Sequence, residues 1–110
     1  MKIVSVVHNY LDQIDLTPVV TALSNLKLSK FNHEIVIVEN GVVETQQFPN
    51  VTYVKSEQFV GLSQGLNLGI KQALNSQADF LWLTDPFILP NADMFDQFFV
   101  SAEKYKDCLC

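Results

Sequence analysis

Four short apolar runs constrain this chain more than any other feature: "KIVSVV" (Lys2 to Val7), "EIVIV" (Glu34 to Val38), "VTYVK" (Val51 to Lys55) and "DFLWLT" (Asp79 to Thr84). Short apolar, β-branched runs of this kind read as buried strands, and the third alternates as a strand does. Strands buried on both faces need layers packed above and below them. Helical patterns lie between the runs. Thr17 reads as an N-cap with Pro18 at the first helical position, and Val19, Val20, Leu23 and Leu26 follow at helical spacing to about Lys30. "GLSQGLNLGIKQALNSQ" places Leu62, Leu66, Ile70, Ala73 and Leu74 on one stripe.

Gly65 and Gly69 interrupt that second helix, each costing about 1 kcal/mol relative to alanine. Such a cost implies close packing or a ligand against their face. Asn91, after Pro90, is expected to cap a last helix with Met94, Phe95, Phe98 and Ala102 inward. The step from the second run to the third, "GVVETQQFP", holds either a short helix or an irregular crossover.

The resulting order is strand, helix, strand, strand, helix, strand, helix. It predicts an α/β fold in three layers, a mostly parallel sheet of about four strands with helices on both faces. A length of 110 residues fits one domain, residues 1–110. The closing "KDCLC" begins to read as a fifth strand, so the domain is expected to be truncated at its C-terminal end.

Composition narrows the function. The formal net charge is −5, and all seven basic residues are lysines, scattered along the chain. A nucleic-acid surface needs clustered Lys and Arg, so none is expected here. A phosphate ligand would have no guanidinium clamp and would depend on backbone amides, a helix N-terminus or a metal. No apolar run reaches a membrane span, and no small-residue cleavage site follows "MKIVSVVHNY". Cys108 and Cys110 stand two residues apart, a spacing that suits a disulfide poorly. A Cys-x-Cys metal site would need further soft ligands, and His8 and His33 are the candidates. Two ordinary thiols in a reducing cytoplasm are the simpler expectation.

In a parallel sheet, ligands bind outside the carboxyl ends of the strands. Those ends here carry His8-Asn9-Tyr10, Glu39-Asn40-Gly41 and Thr84-Asp85-Pro86, with the third strand leading through "EQFVG" to the second helix. Each group also has a bland reading. Asn40-Gly41 and Asp85-Pro86 open turns whatever else they do. A lone His8 is more often a loop histidine than a ligand, and Asn67 reads as a partner for a neighbouring loop's backbone.

Taken in order, these features resemble the nucleotide-sugar-binding half of glycosyltransferases of the GT-A fold, family 2 in particular, over Lys2 to about Phe99. "SVVHN" is similar to that family's first strand, whose end touches the nucleotide, and "EIVIVENG" to its second, with Glu39 at the place of an Asp that contacts base or ribose. "GLSQGLNLGI" resembles the helix that follows, matching at Gly61, Asn67, Gly69 and Ile70. "DFLWLTDPFILPNADMFDQF" resembles the segment carrying a metal-binding Asp-x-Asp.

The resemblance implies a nucleotide-diphosphate sugar as ligand, with His8, Asn9, Glu39, Gly61 and Asn67 around the nucleotide. It also implies Asp85 on a divalent cation, manganese or magnesium. Two departures are clear. Thr84 and Pro86 stand where the paired acids would fall, with Asp85 between them, and no residue after Phe99 can serve as the base an inverting transfer needs. The expected function is therefore a glycosyltransferase-like domain, not catalytically complete alone, whose missing half or a partner protein completes it. The alternative is a non-catalytic binding or protein-interaction module that keeps the fold.

Overall fold

A computed structural model describes residues 1–26, 31–43, 46–91, 93–94 and 96–97. Its elements are β1 (Lys2–Asn9), α1 (Thr17–Ser24), β2 (Asn32–Asn40), β3 (Val51–Ser56), α2 (Leu62–Asn75) and β4 (Phe80–Thr84). The four strands form one sheet in the order β3-β2-β1-β4, and all three pairings are parallel. The chain steps outward from β1 to β2 and β3, and α2 then carries it back to β4 on the other side of β1. Strand order therefore reverses between β1 and β4.

Strand pleating sorts the buried residues into two cores. Ile3 and Val7 of β1 and Ile35 and Ile37 of β2 point to one face, where Leu16, Val19, Val20 and Leu23 of the α1 segment cover them. Val4, Val6, Val36 and Val38 alternate with these onto the other face, against Ala73 of α2. Every one of these eight strand residues is buried, which is why the runs read as continuously apolar. The step from β2 to β3 contains no helix among the described residues. Phe48 packs into the α1-side core and Tyr53 Oη accepts its backbone N–H at 2.6 Å, so an irregular crossover covers that face.

Two differences from the sequence expectation concern the start of α1 and the inward face of α2. Thr17 is the first helical residue and not the cap; Asp15 Oδ1 accepts the Thr17 N–H at 2.9 Å instead, with Pro18 in the first turn. A carboxylate two residues upstream is the stronger acceptor for an exposed helical N–H. The inward stripe of α2 is Gly65, Gly69 and Ala73, flanked by Leu66 and Leu68, while Leu62 is 55% and Leu74 61% exposed. Leu74 lies roughly 140° round the helix from Gly69, and Leu62 lines a cleft at the carboxyl end of the sheet. The glycines are there for close approach. A Cβ on Gly69 would fall 2.7 Å from Val38 Cγ2 and nearer still to Val6 Cγ1.

Asn91 behaves as expected, its Oδ1 accepting the Met94 N–H at 3.0 Å where residues 93–94 and 96–97 are helical. α1 ends at Ser24 with Asn25 as its C-cap, short of the expected Lys30. Phe95, Phe98, Ala102 and the "KDCLC" strand with Cys108 and Cys110 lie outside the described residues. No helix among the described residues is long and apolar enough to cross a membrane.

Candidate functional site

The reversal of strand order between β1 and β4 opens a crevice at the carboxyl end of the sheet, the usual position for a ligand in such folds. An open cleft of about 340 Å³ occupies it. His8 and Tyr10 come from β1 and its exit, Leu62, Ser63 and Leu66 from the first turns of α2, and Leu83, Thr84, Asp85 and Ile88 from β4 and the loop after it. Its walls are thus mainly apolar, with a few polar groups at the mouth.

His8 is 6% exposed and Asn40 1%. Both belong to the strand series that faces α2, and Asn40 Nδ2 lies 3.1 Å from His8 Nε2. The same Nδ2 donates to the Gly61 carbonyl at 2.9 Å, while Asn40 Oδ1 accepts the Val60 N–H at 3.0 Å. One buried amide therefore ties the end of β1 to the β3–α2 loop. Gly61 supplies the positive φ of +93° at which α2 begins. Gly65 backs the junction, since a Cβ there would fall 2.5 Å from His8 Nε2 and nearer still to Asn40 Nδ2. Burial lowers the His8 pKa below the ordinary imidazole value.

Asn9 and Glu39 face the other way. They are partners in the β1–β2 register, and Glu39 is in turn partnered with Lys55 of β3. Asn9 Oδ1 lies 3.4 Å from the Leu11 N–H it faces. Glu39 is 3% exposed, and its Oε2 has no hydrogen-bond partner among the described residues. Burial raises its pKa, and the Lys55 ammonium pulls in the opposite direction. In the folded state Glu39 therefore holds its proton to higher pH than in the unfolded chain. Its contribution to stability is full below the ordinary carboxyl value and is lost as pH rises through the folded value. Glu39→Gln should melt higher than the parent at pH 7 and no differently at pH 4. A variant that melts lower at both would show that the carboxylate has a favourable partner.

The sequence-predicted residues are thus only partly brought together. His8 and Asp85 share the cleft, and Gly61 adjoins it through Asn40. Asn67 is exposed on α2 and does not line the cleft. Asp85 Oδ1 accepts the Phe87 N–H at 2.8 Å, so the Asp-Pro turn is formed and the other carboxylate oxygen is left without a hydrogen-bond partner among the described residues. No three His, Cys, Asp or Glu side chains among the described residues converge as metal ligands. His8 and His33 point to opposite faces, and Ser5 Oγ lies 2.6 Å from His33 Nε2 within the α1-side layer. The two imidazoles cannot share a metal.

Sequence reasoning named Asn40 and Tyr10 among the strand ends and gave neither a role in the site. The signal for Asn40 was strand parity: once β1 and β2 are parallel, positions 8 and 40 share a face, and Gly65 is the small residue over them. The rings of His8 and Tyr10 stand 5.3 Å apart, tilted by 59°, on that same face. Comparison with known proteins finds no family model that matches the chain and no curated protein that matches it.

Proposed function

We propose that this domain binds a nucleotide-diphosphate sugar across the carboxyl end of β1 and β2, as the nucleotide-binding half of a glycosyltransferase-like fold that does not complete the transfer alone. The observation that carries this reading is the cleft at the reversal of strand order, with His8 and Asp85 on its wall. The ribose or base reaches past the strand ends toward Asn9 and Glu39, which face the α1 side; Glu39 Oε2 has no hydrogen-bond partner among the described residues. The diphosphate lies toward the first turn of α2, where the backbone N–H groups of a helix start favour anions. A manganese or magnesium ion enters only as a bridge between Asp85 and phosphate oxygens, because no three metal-ligating side chains converge among the described residues.

Thermal denaturation with UDP, dTDP and GDP, each with and without manganese, tests this. A diphosphate present at a hundred times its dissociation constant adds ~2.7 kcal/mol, several degrees of Tm for a domain of this size. Glu39→Ala should remove the shift. If no nucleotide moves the transition at millimolar concentration, the ligand reading is lost. The second reading, a protein-interaction module, is favoured by the apolar side chains exposed in the loops that follow β3 and β4, Phe59, Phe87, Ile88 and Leu89, of which Ile88 lines the cleft. It predicts no nucleotide shift.

A further inference from the structure

The geometry points to His8 and Asn40 as a tautomer-locked, proton-sensitive latch that holds the β3–α2 loop against the sheet. This inference needs no ligand and is independent of the nucleotide proposal. An Asn amide can usually be turned either way, but here its neighbours decide. The Val60 N–H can only donate and the Gly61 carbonyl can only accept, so Oδ1 must face Val60 and Nδ2 must face Gly61. The Nδ2 group that reaches His8 is therefore a donor, and Nε2 must be its acceptor. Neutral His8 consequently carries its proton on Nδ1.

Protonation puts an N–H on Nε2, and two donors then face each other in a buried junction. Gly65 leaves no room for either side chain to retreat toward α2. The amide must turn or withdraw, and the bonds to Val60 and Gly61 go with it. The ionisable groups lining the cleft with His8 are Tyr10 and Asp85. The Tyr10 ring is tilted against the imidazole, and Asp85 makes no ion pair with His8 among the described residues. α2 presents Leu62, Ser63 and Leu66 to the cleft, and from β2 Asn40 meets His8, none of them ionisable. Burial of the imidazole, which disfavours its charged form, agrees with this arrangement. Stability from His8 is full above its ordinary value and falls as pH drops toward the folded value.

The test is imidazole ¹⁵N NMR with amide spectra of the full chain across a pH titration. The expected result is an Nδ1–H tautomer at neutral pH. The Val60 and Gly61 amides then move with the His8 titration, and Val60 exchange protection, corrected for intrinsic rate, falls about tenfold as His8 charges. His33, on the other face, should titrate without moving them. Asn40→Asp should raise the His8 titration, because a carboxylate at this place favours the imidazolium. An Nε2–H tautomer, or Val60 and Gly61 amides that stay still while His8 titrates, would overturn the latch. If Asn40→Asp does not fold, His8→Gln, a neutral acceptor, should leave both amides pH-silent. Amides that still titrate in that variant also overturn it.

Discussion

Asn40→Ala should destabilise the domain by about 2–4 kcal/mol, a fall in Tm of roughly 10–20 °C for a chain of this length. The side chain is almost fully buried and holds three groups at once: the Val60 N–H, the Gly61 carbonyl and His8 Nε2. Truncation leaves all three without their partner. Each buried polar group left unsatisfied costs about 1–3 kcal/mol, reduced where water enters from the open cleft. The loss should be measured above the ordinary histidine range, so that His8 stays neutral in both proteins. Chemical denaturation with a slope matching the parent's would place the effect in stability and not in the unfolded state. A loss below about 0.5 kcal/mol, the scale of an ordinary surface change, would mean that the junction does not form in solution.

The sequence revealed the layers better than the site, for a physical reason. Buried parallel strands must be apolar on both faces, and that requirement writes itself into Ile3 to Val7 and Ile35 to Val38 without help from the rest of the chain. The cap at Asn91 was legible because it depends only on residues three apart. The direction of α2 was not. The apolar stripe places Leu62, Leu66, Ile70, Ala73 and Leu74 inward; Ala73 and Leu66 do pack on the sheet, but the helix turns its glycines to Val6 and Val38 and leaves Leu62 and Leu74 exposed.

The site was legible as a place and not as an arrangement. Polar residues at strand ends pointed to the carboxyl edge, where the cleft is. Adjacent residues on a strand nevertheless point to opposite faces. His8 and Asn9 were grouped because they are neighbours in sequence, and pleating separates them. Glu39 and Asn40 are divided in the same way. Asn40 read as a turn residue because it precedes Gly41, and its parity with His8 becomes visible only when the β1–β2 register is known.

Gly65→Ala isolates that hidden arrangement. In an unconstrained helix the substitution would stabilise by ~1 kcal/mol. Here the added methyl meets His8 Nε2 and the Asn40 amide; His8 cannot move without breaking its bond to Asn40, nor Asn40 without breaking its bonds to the β3–α2 loop. Overpacking costs about 1–3 kcal/mol, and a lost hydrogen bond adds about 0.5–1.5 kcal/mol, so the net expectation is a destabilisation of about 1–3 kcal/mol. Gly69→Ala meets first the Val6 and Val38 side chains and should cost its overpacking without a lost hydrogen bond. The two variants differ in their second signature. Gly65→Ala should shift the His8 titration back toward the ordinary value, because a displaced imidazole is better hydrated, and Gly69→Ala should leave it where it is. A Gly65→Ala protein more stable than the parent would mean that α2 stands farther from the sheet than the contacts of Gly65 require, and the junction beneath it would lose the wall that confines it.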